Sequence, residues 1–185
     1  MSAKPSHSAP GRTIALVGLM GVGKTTIGRR LAARLGRRFA DADEAVAEAA
    51  GRTVPEIFAD FGEAAFRDGE RKVIARLIEE NEPMVLALGG GAFVDPDTRA
   101  LIKREAVSIW LRADVDTLVE RTARRPGARP LLENDDPRAV LTRLAKVREP
   151  AYAEADIAIN SDASSHDTTV ERVLDALAAF QERTP

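Results

Sequence analysis

TIALVGLMGVGKT, residues 13–25, runs five β-forming residues straight into Gly18-Leu19-Met20-Gly21-Val22-Gly23-Lys24-Thr25. That octet is a G-x-x-x-x-G-K-[ST] loop, and its setting decides what it means. Thr13–Val17 reads as a buried strand. From about Lys24 to Leu35, Ile27, Leu31 and Leu35 share one stripe at helical spacing. In a strand–loop–helix of this kind, backbone N–H groups curl around phosphate oxygens and the helix N-terminus adds partial positive charge. Lys24 supplies a full charge and Thr25 offers a hydroxyl to Mg²⁺. The loop therefore predicts a site for the phosphates of a nucleoside triphosphate.

Outward from the loop, short apolar runs alternate with longer helical patterns, which predicts βαβ units and a parallel sheet. Five strands are expected: Thr13–Val17, a short one ending near Ala40, Met84–Leu88, Val107–Leu111 and Asp156–Ile159. Helices are expected over Lys24–Leu35, Asp43–Ala50, Val54–Asp60, Glu63–Glu79, Pro96–Lys103, Asp114–Thr122, Asp136–Ala151 and Asp167–Phe180. Residues 1–12 (MSAKPSHSAPGR) are too polar to offset their ordering entropy and read as a disordered tail. Residues 123–137 (ARRPGARPLLENDDP) hold prolines and arginines in a pattern suited to a mobile loop. Residues 13–185 are expected to form one domain.

Composition narrows the function. The 185 residues are 44% hydrophobic with a net charge of −2, so no global field points to nucleic acid. No apolar run approaches the roughly 20 residues of a membrane span, and the N-terminus lacks a signal-peptide core. A cytoplasmic location is expected, and monomer is the default. With no cysteine and only His7 and His166, thiolate catalysis and Cys/His zinc sites are excluded by inventory.

A triphosphate site needs an acid for its metal, and the usual place is vacant. Met84–Leu88 runs into Gly89-Gly90-Gly91 rather than ending in an aspartate, and no Asn-Lys-x-Asp of a GTPase follows a later strand. Asp41 and Asp43 follow the second strand, whose C-terminal end lies on the same rim as the phosphate loop. Asp41 is a candidate for the missing carboxylate beside Thr25. The simpler alternative is that one of the pair merely caps the next helix. Two residues along a helix rotate a side chain by about 200°, so Asp43 need not face the same ligand.

Six stretches in order, GLMGVGKTT (18–26), FADAD (39–43), FGEAAFRDGE (61–70), LALGGG (86–91), RPLL (129–132) and REPAY (148–152), resemble shikimate kinase. The resemblance implies a three-layer α/β/α P-loop kinase with a central five-stranded parallel sheet and a mobile lid at about 123–137. It implies transfer of phosphate from Mg-ATP to the 3-hydroxyl of shikimate, in the pathway to chorismate. By position, Gly21, Val22, Gly23, Lys24, Thr25 and Thr26 would hold ATP, with Thr25 and Asp41 toward Mg²⁺. Asp43 would bond the shikimate hydroxyls and act in catalysis with Lys24 and Arg129. Arg67 and Arg148 would hold the carboxylate, Gly89, Gly90 and Gly91 would admit the substrate, Arg121 would pack on adenine, and Arg129 would sit in the lid. The shikimate-binding region would span about 41–70. Planar guanidinium groups suit a carboxylate independently of the name.

Two departures stand out. Family members often carry Ser or Thr in the pair before the triple glycine, where this chain has Ala87-Leu88. Asn160–Asp167 lacks an arginine that some relatives place against adenine. The rival readings are another small-metabolite P-loop kinase, such as a gluconate kinase, and an ATP-binding regulatory protein without a metabolite substrate. His166 is expected at the surface, Trp110 in packing, and Tyr152 has no assigned role.

Overall fold

The computed structural model describes residues 11–124, 130–132, 135–161 and 165–183. Five strands form one parallel sheet in the order β2-β3-β1-β4-β5: β1 Thr13–Val17, β2 Phe39–Asp41, β3 Val85–Ala87, β4 Ala106–Arg112 and β5 Ile157–Asn160. Every residue of β1 and β3 is buried. Because successive strand side chains point to opposite faces, full burial requires cover on both, which explains their unbroken apolar runs. One covering group is α1 (Lys24–Leu35), which lies on β1 and β3 and packs against α7 (His166–Arg183). On the other strands of the sheet, α4 (Pro96–Glu105) lies on β4 and meets α3 (Val54–Glu79).

Local chemistry sets the helix ends. Gly23, at φ 103°, caps α1 in a left-handed conformation costly for any residue with a Cβ. Asp41 caps α2 (Ala42–Ala50) by accepting from the N–H groups of Asp43 and Glu44. α3 opens with a Thr53–Glu56 capping box. The two helices expected over 54–60 and 63–79 are the two halves of α3, separated by Gly62, whose φ 80° and ψ 173° are non-helical. α5 is Val115–Ala123 and α6 Pro137–Tyr152; Pro150 inside α6 has no N–H to continue the helix ladder.

The first strand and first helix have the predicted bounds, and the other strands differ by a residue or two at their ends. α4 runs straight into β4, two residues beyond the expected helix end at Lys103. The tail lies outside the described residues up to position 10. Arg12, counted with that tail, is fastened: it donates to the carbonyls of Lys103 and Arg104, and its own carbonyl accepts from Arg37. A short 3-10 turn, Pro130–Leu132, is described within the predicted lid, whereas residues 125–129 and 133–134 lie outside the described residues. Among the described residues no helix is long and apolar enough to cross a membrane.

Candidate active site

In a parallel sheet all strand C-termini share one rim, so the loops after β1, β2 and β3 meet there. They enclose a cavity of about 410 Å³. Of the residues singled out by sequence, Gly21, Gly23, Lys24, Thr25, Thr26, Asp41, Asp43, Arg67, Gly90, Gly91, Arg121 and Arg148 line it. Two do not. The Val22 side chain is buried, while its carbonyl accepts from Arg121 (3.1 Å) and Ser161 (3.1 Å). Gly89 lies beneath Glu70 and Asp43. Arg129 lies outside the described residues.

At the phosphate end, Lys24 Nζ donates to the carbonyls of Gly18 (2.7 Å) and Leu19 (3.0 Å), folding the lysine back across its own loop. Thr25 Oγ1 donates to Asp41 Oδ2 at 2.6 Å, while Asp41 Oδ1 accepts from the Asp43 N–H at 3.0 Å. One carboxylate therefore turns one oxygen to the cap and the other to the loop hydroxyl. A hydroxyl and a carboxylate oxygen converging at a phosphate loop are hard donors that fit Mg²⁺, which takes few protein ligands and completes its shell with phosphate and water. Among the described residues, no group of three or more His, Cys, Asp or Glu could hold a metal ion.

Asp43, in the first turn of α2, also lines the cavity and brings Oδ1 to 2.8 Å from where a Gly89 Cβ would lie. Burial and the nearby Asp41 charge raise its pKa, against the pull of Lys24 and Arg67. Such a carboxylate binds a proton more strongly than an exposed aspartate does.

The triple glycine has its explanation here. A Cβ on Gly89 would strike the Glu70 carboxylate and stand 2.8 Å from Asp43 Oδ1. On Gly90 it would stand 2.9 Å from Arg148 Nη1, and on Gly91 2.6 Å from Arg67 Cζ. All three distances are closer than real Cβ contacts, so the glycines make room for the charged side chains of the pocket. Arg67 is held by Glu70 (2.8 Å) and Glu63 (3.3 Å). Arg148, 6% exposed, keeps Nη1 buried with no hydrogen-bond partner. A buried guanidinium N–H without an acceptor is costly. A ligand carboxylate would satisfy it. Phe58 and Phe66, with ring centroids 4.8 Å apart, wall the same end.

Sequence reasoning missed three contributors. Glu70 is 2% exposed, and burial raises its pKa against the pull of Arg67; its place three residues after Arg67 on a helix was the available signal. Tyr152 donates its hydroxyl to the Gly90 carbonyl. His166 opens α7, lines the cavity and has its Nε2 3.4 Å from where a Gly23 Cβ would lie, so it is not a plain surface residue. Burial, then Arg121 and Arg30, hold its pKa below the ordinary value.

Comparison with known proteins gives the family. The family model "Shikimate kinase" matches residues 20–178. "Shikimate kinase" of Caulobacter vibrioides (strain NA1000 / CB15N) is 57% identical over 166 residues, covering 90% of this chain and 82% of that protein. That of Paramagnetospirillum magneticum is 55% identical over 170 residues, 92% of this chain and 86% of that protein. The solved shikimate kinase of Acinetobacter baumannii, in complex with shikimate, superposes with a TM-score of 0.88 at 35% identity, covering 92% of this chain and 95% of that one. A gluconokinase from Sinorhizobium meliloti 1021 covers 94% of this chain and 95% of its own with a TM-score of 0.64, but at 20% identity it shares the fold alone. A phosphate loop, an acid pair and a two-arginine pocket on one rim, together with matches along nearly the whole chain, place this protein in the shikimate kinase family.

Proposed function

We propose that the protein transfers the γ-phosphoryl group of ATP to the 3-hydroxyl of shikimate, with the work divided between the two ends of one cavity. The observation that carries this is the buried, unpartnered Arg148 Nη1 in the same cavity as the phosphate-loop Lys24. A carboxylate-bearing acceptor satisfies the first while the second neutralises the triphosphate.

Loop N–H groups from Gly21 to Thr26 and the Lys24 ammonium hold the phosphates, and Arg121 lies beside the loop on the nucleotide side. Thr25 and Asp41 would hold Mg²⁺, which when bound neutralises charge on the β- and γ-phosphate oxygens. Arg67 and Arg148 grip the shikimate carboxylate and so fix the ring. Asp43 accepts the hydrogen bond of the 3-hydroxyl. As the bond from that oxygen to γ-phosphorus forms and the bond to the β–γ bridging oxygen breaks, its proton passes to Asp43 and ADP leaves. The raised pKa of Asp43 suits it to take that proton. Arg129 of the lid is assigned to the charge developing on the transferring group, where an arginine contributes on the order of a thousandfold in rate. A lid of this kind keeps water from the phosphoryl group. A monomer working in the cytoplasm, where ATP is supplied, accords with this chemistry.

The test is ADP release with Mg-ATP against shikimate, gluconate and nucleoside monophosphates, with the phosphorylated product located by ³¹P–¹H correlation NMR. Turnover on shikimate alone, with phosphorus coupled to the proton on C3, is expected. Turnover on gluconate but not shikimate would overturn the assignment, and none on any acceptor would favour the regulatory alternative.

A further inference from the structure

Tyr152 is 1% exposed, and its hydroxyl donates to the Gly90 carbonyl. Arg148 lies one helical turn earlier on α6, so the two side chains stack on one face of that helix. Both converge on the same glycine: Arg148 Nη1 stands 2.9 Å from the position of a Gly90 Cβ. Arg148 Nη1 nonetheless has no acceptor. The Gly90 carbonyl is an acceptor within this same cluster, and tyrosine occupies it.

We propose that Tyr152 is a positioning residue for the substrate carboxylate: by binding the Gly90 carbonyl it leaves Arg148 Nη1 for the ligand in the cavity. This inference rests on the assignment of Arg148 to the carboxylate. Burial raises the Tyr152 pKa to about 12, against the charge of Arg148 and a side-chain hydrogen bond with it, so the hydroxyl remains a donor throughout the working pH range.

The ring is buried as well as bonded. Trp110 tilts against it at 5.9 Å between centroids. A second cavity of about 350 Å³, bordered by Trp110, Arg112 and Glu149, also reaches Tyr152. The hydroxyl bond fixes how the ring sits against the Gly90 carbonyl. Without that bond, the Gly90 carbonyl becomes available to Arg148, and the substrate carboxylate must compete with it.

The experiment is a double-mutant cycle read by steady-state kinetics. Tyr152→Phe keeps the ring and removes the bond. It is expected to raise KM for shikimate by roughly tenfold, while kcat and KM for ATP stay within about twofold. In an Arg148→Ala background the same change should have almost no further effect on shikimate KM, because the residue it acts through is gone. An equal rise in both backgrounds, or no rise at all, overturns the inference. If Arg148→Ala itself leaves shikimate KM unchanged, the assignment of Arg148 falls and this inference with it. A second readout uses the native sequence. The chain has one tyrosine, so fluorotyrosine labelling marks Tyr152 alone. Shikimate is expected to shift that ¹⁹F resonance, and an unmoved resonance at saturating shikimate overturns the coupling.

Discussion

At residue 91 a single methyl group tests the pocket. An added Cβ there would lie 2.6 Å from Arg67 Cζ, so Gly91→Ala must displace the guanidinium that the family resemblance assigns to the shikimate carboxylate. Loss of such a charged hydrogen bond corresponds to roughly 10- to 100-fold. We expect kcat/KM for shikimate to fall by about that factor with KM for ATP unchanged, measured by coupled assay. Asp43 makes a second prediction, through its pKa. Burial and Asp41 raise the folded value above the ordinary 3.8, so its protonated form is the one the fold prefers. The stability it contributes is complete below about pH 3.8 and is lost as pH rises through the raised value. Asp43→Asn should therefore melt at a higher temperature than the parent at pH 7.5, with the difference shrinking toward pH 4, while turnover is abolished. A lower melting temperature at pH 7.5 would contradict the account. The residues that sequence named by charge, Asp41, Asp43, Arg67 and Arg148, all reach the cavity. The three it missed, Glu70, Tyr152 and His166, act through burial and through partners distant in sequence, and neither is legible from residue type.

Among the elements, α3 shows most plainly what the sequence carried. Its two halves were legible as separate helical stripes either side of Gly62, because apolar spacing breaks there and glycine permits what other residues do not. The bend angle was not legible, since it depends on how the second half, bearing Arg67 and Glu70, packs beneath the triple glycine. Gly62 has φ 80° and ψ 173°, a conformation essentially confined to glycine. Space is not the constraint, because nothing lies within 4 Å of an added Cβ. Gly62→Ala should cost about 1–3 kcal/mol from backbone strain. Chemical denaturation checks it, and an unchanged midpoint would show that the bend is not held. α2 carries a related lesson. Capping and metal binding looked like competing uses of an aspartate, and the structure lets Asp41 divide its two oxygens between the cap and Thr25.

Across the molecule, β1, β2 and β3 bring three loops to one rim, and the cavity between them is lined by Lys24 and Thr25 of the phosphate loop and by Arg67 and Arg148. Full burial of β1 and β3 is legible in their apolar runs, whereas the order β2-β3-β1-β4-β5 depends on tertiary pairing. The meeting of Glu70, Gly89 and Asp43 is set by tertiary packing, which no local pattern encodes. Asp41 and Asp43, separated by one residue, are proposed to divide two jobs in this cavity, the first toward Mg²⁺ and the second toward the acceptor hydroxyl. The most direct test is a Mg²⁺ titration of turnover at fixed ATP and shikimate for Asp41→Asn and Asp43→Asn, with Mg-ATP affinity measured on both by calorimetry. The account predicts that Asp41→Asn shifts the Mg²⁺ dependence to higher concentration, whereas Asp43→Asn is inactive at every Mg²⁺ concentration yet binds Mg-ATP like the parent. The same phenotype from both substitutions would contradict it.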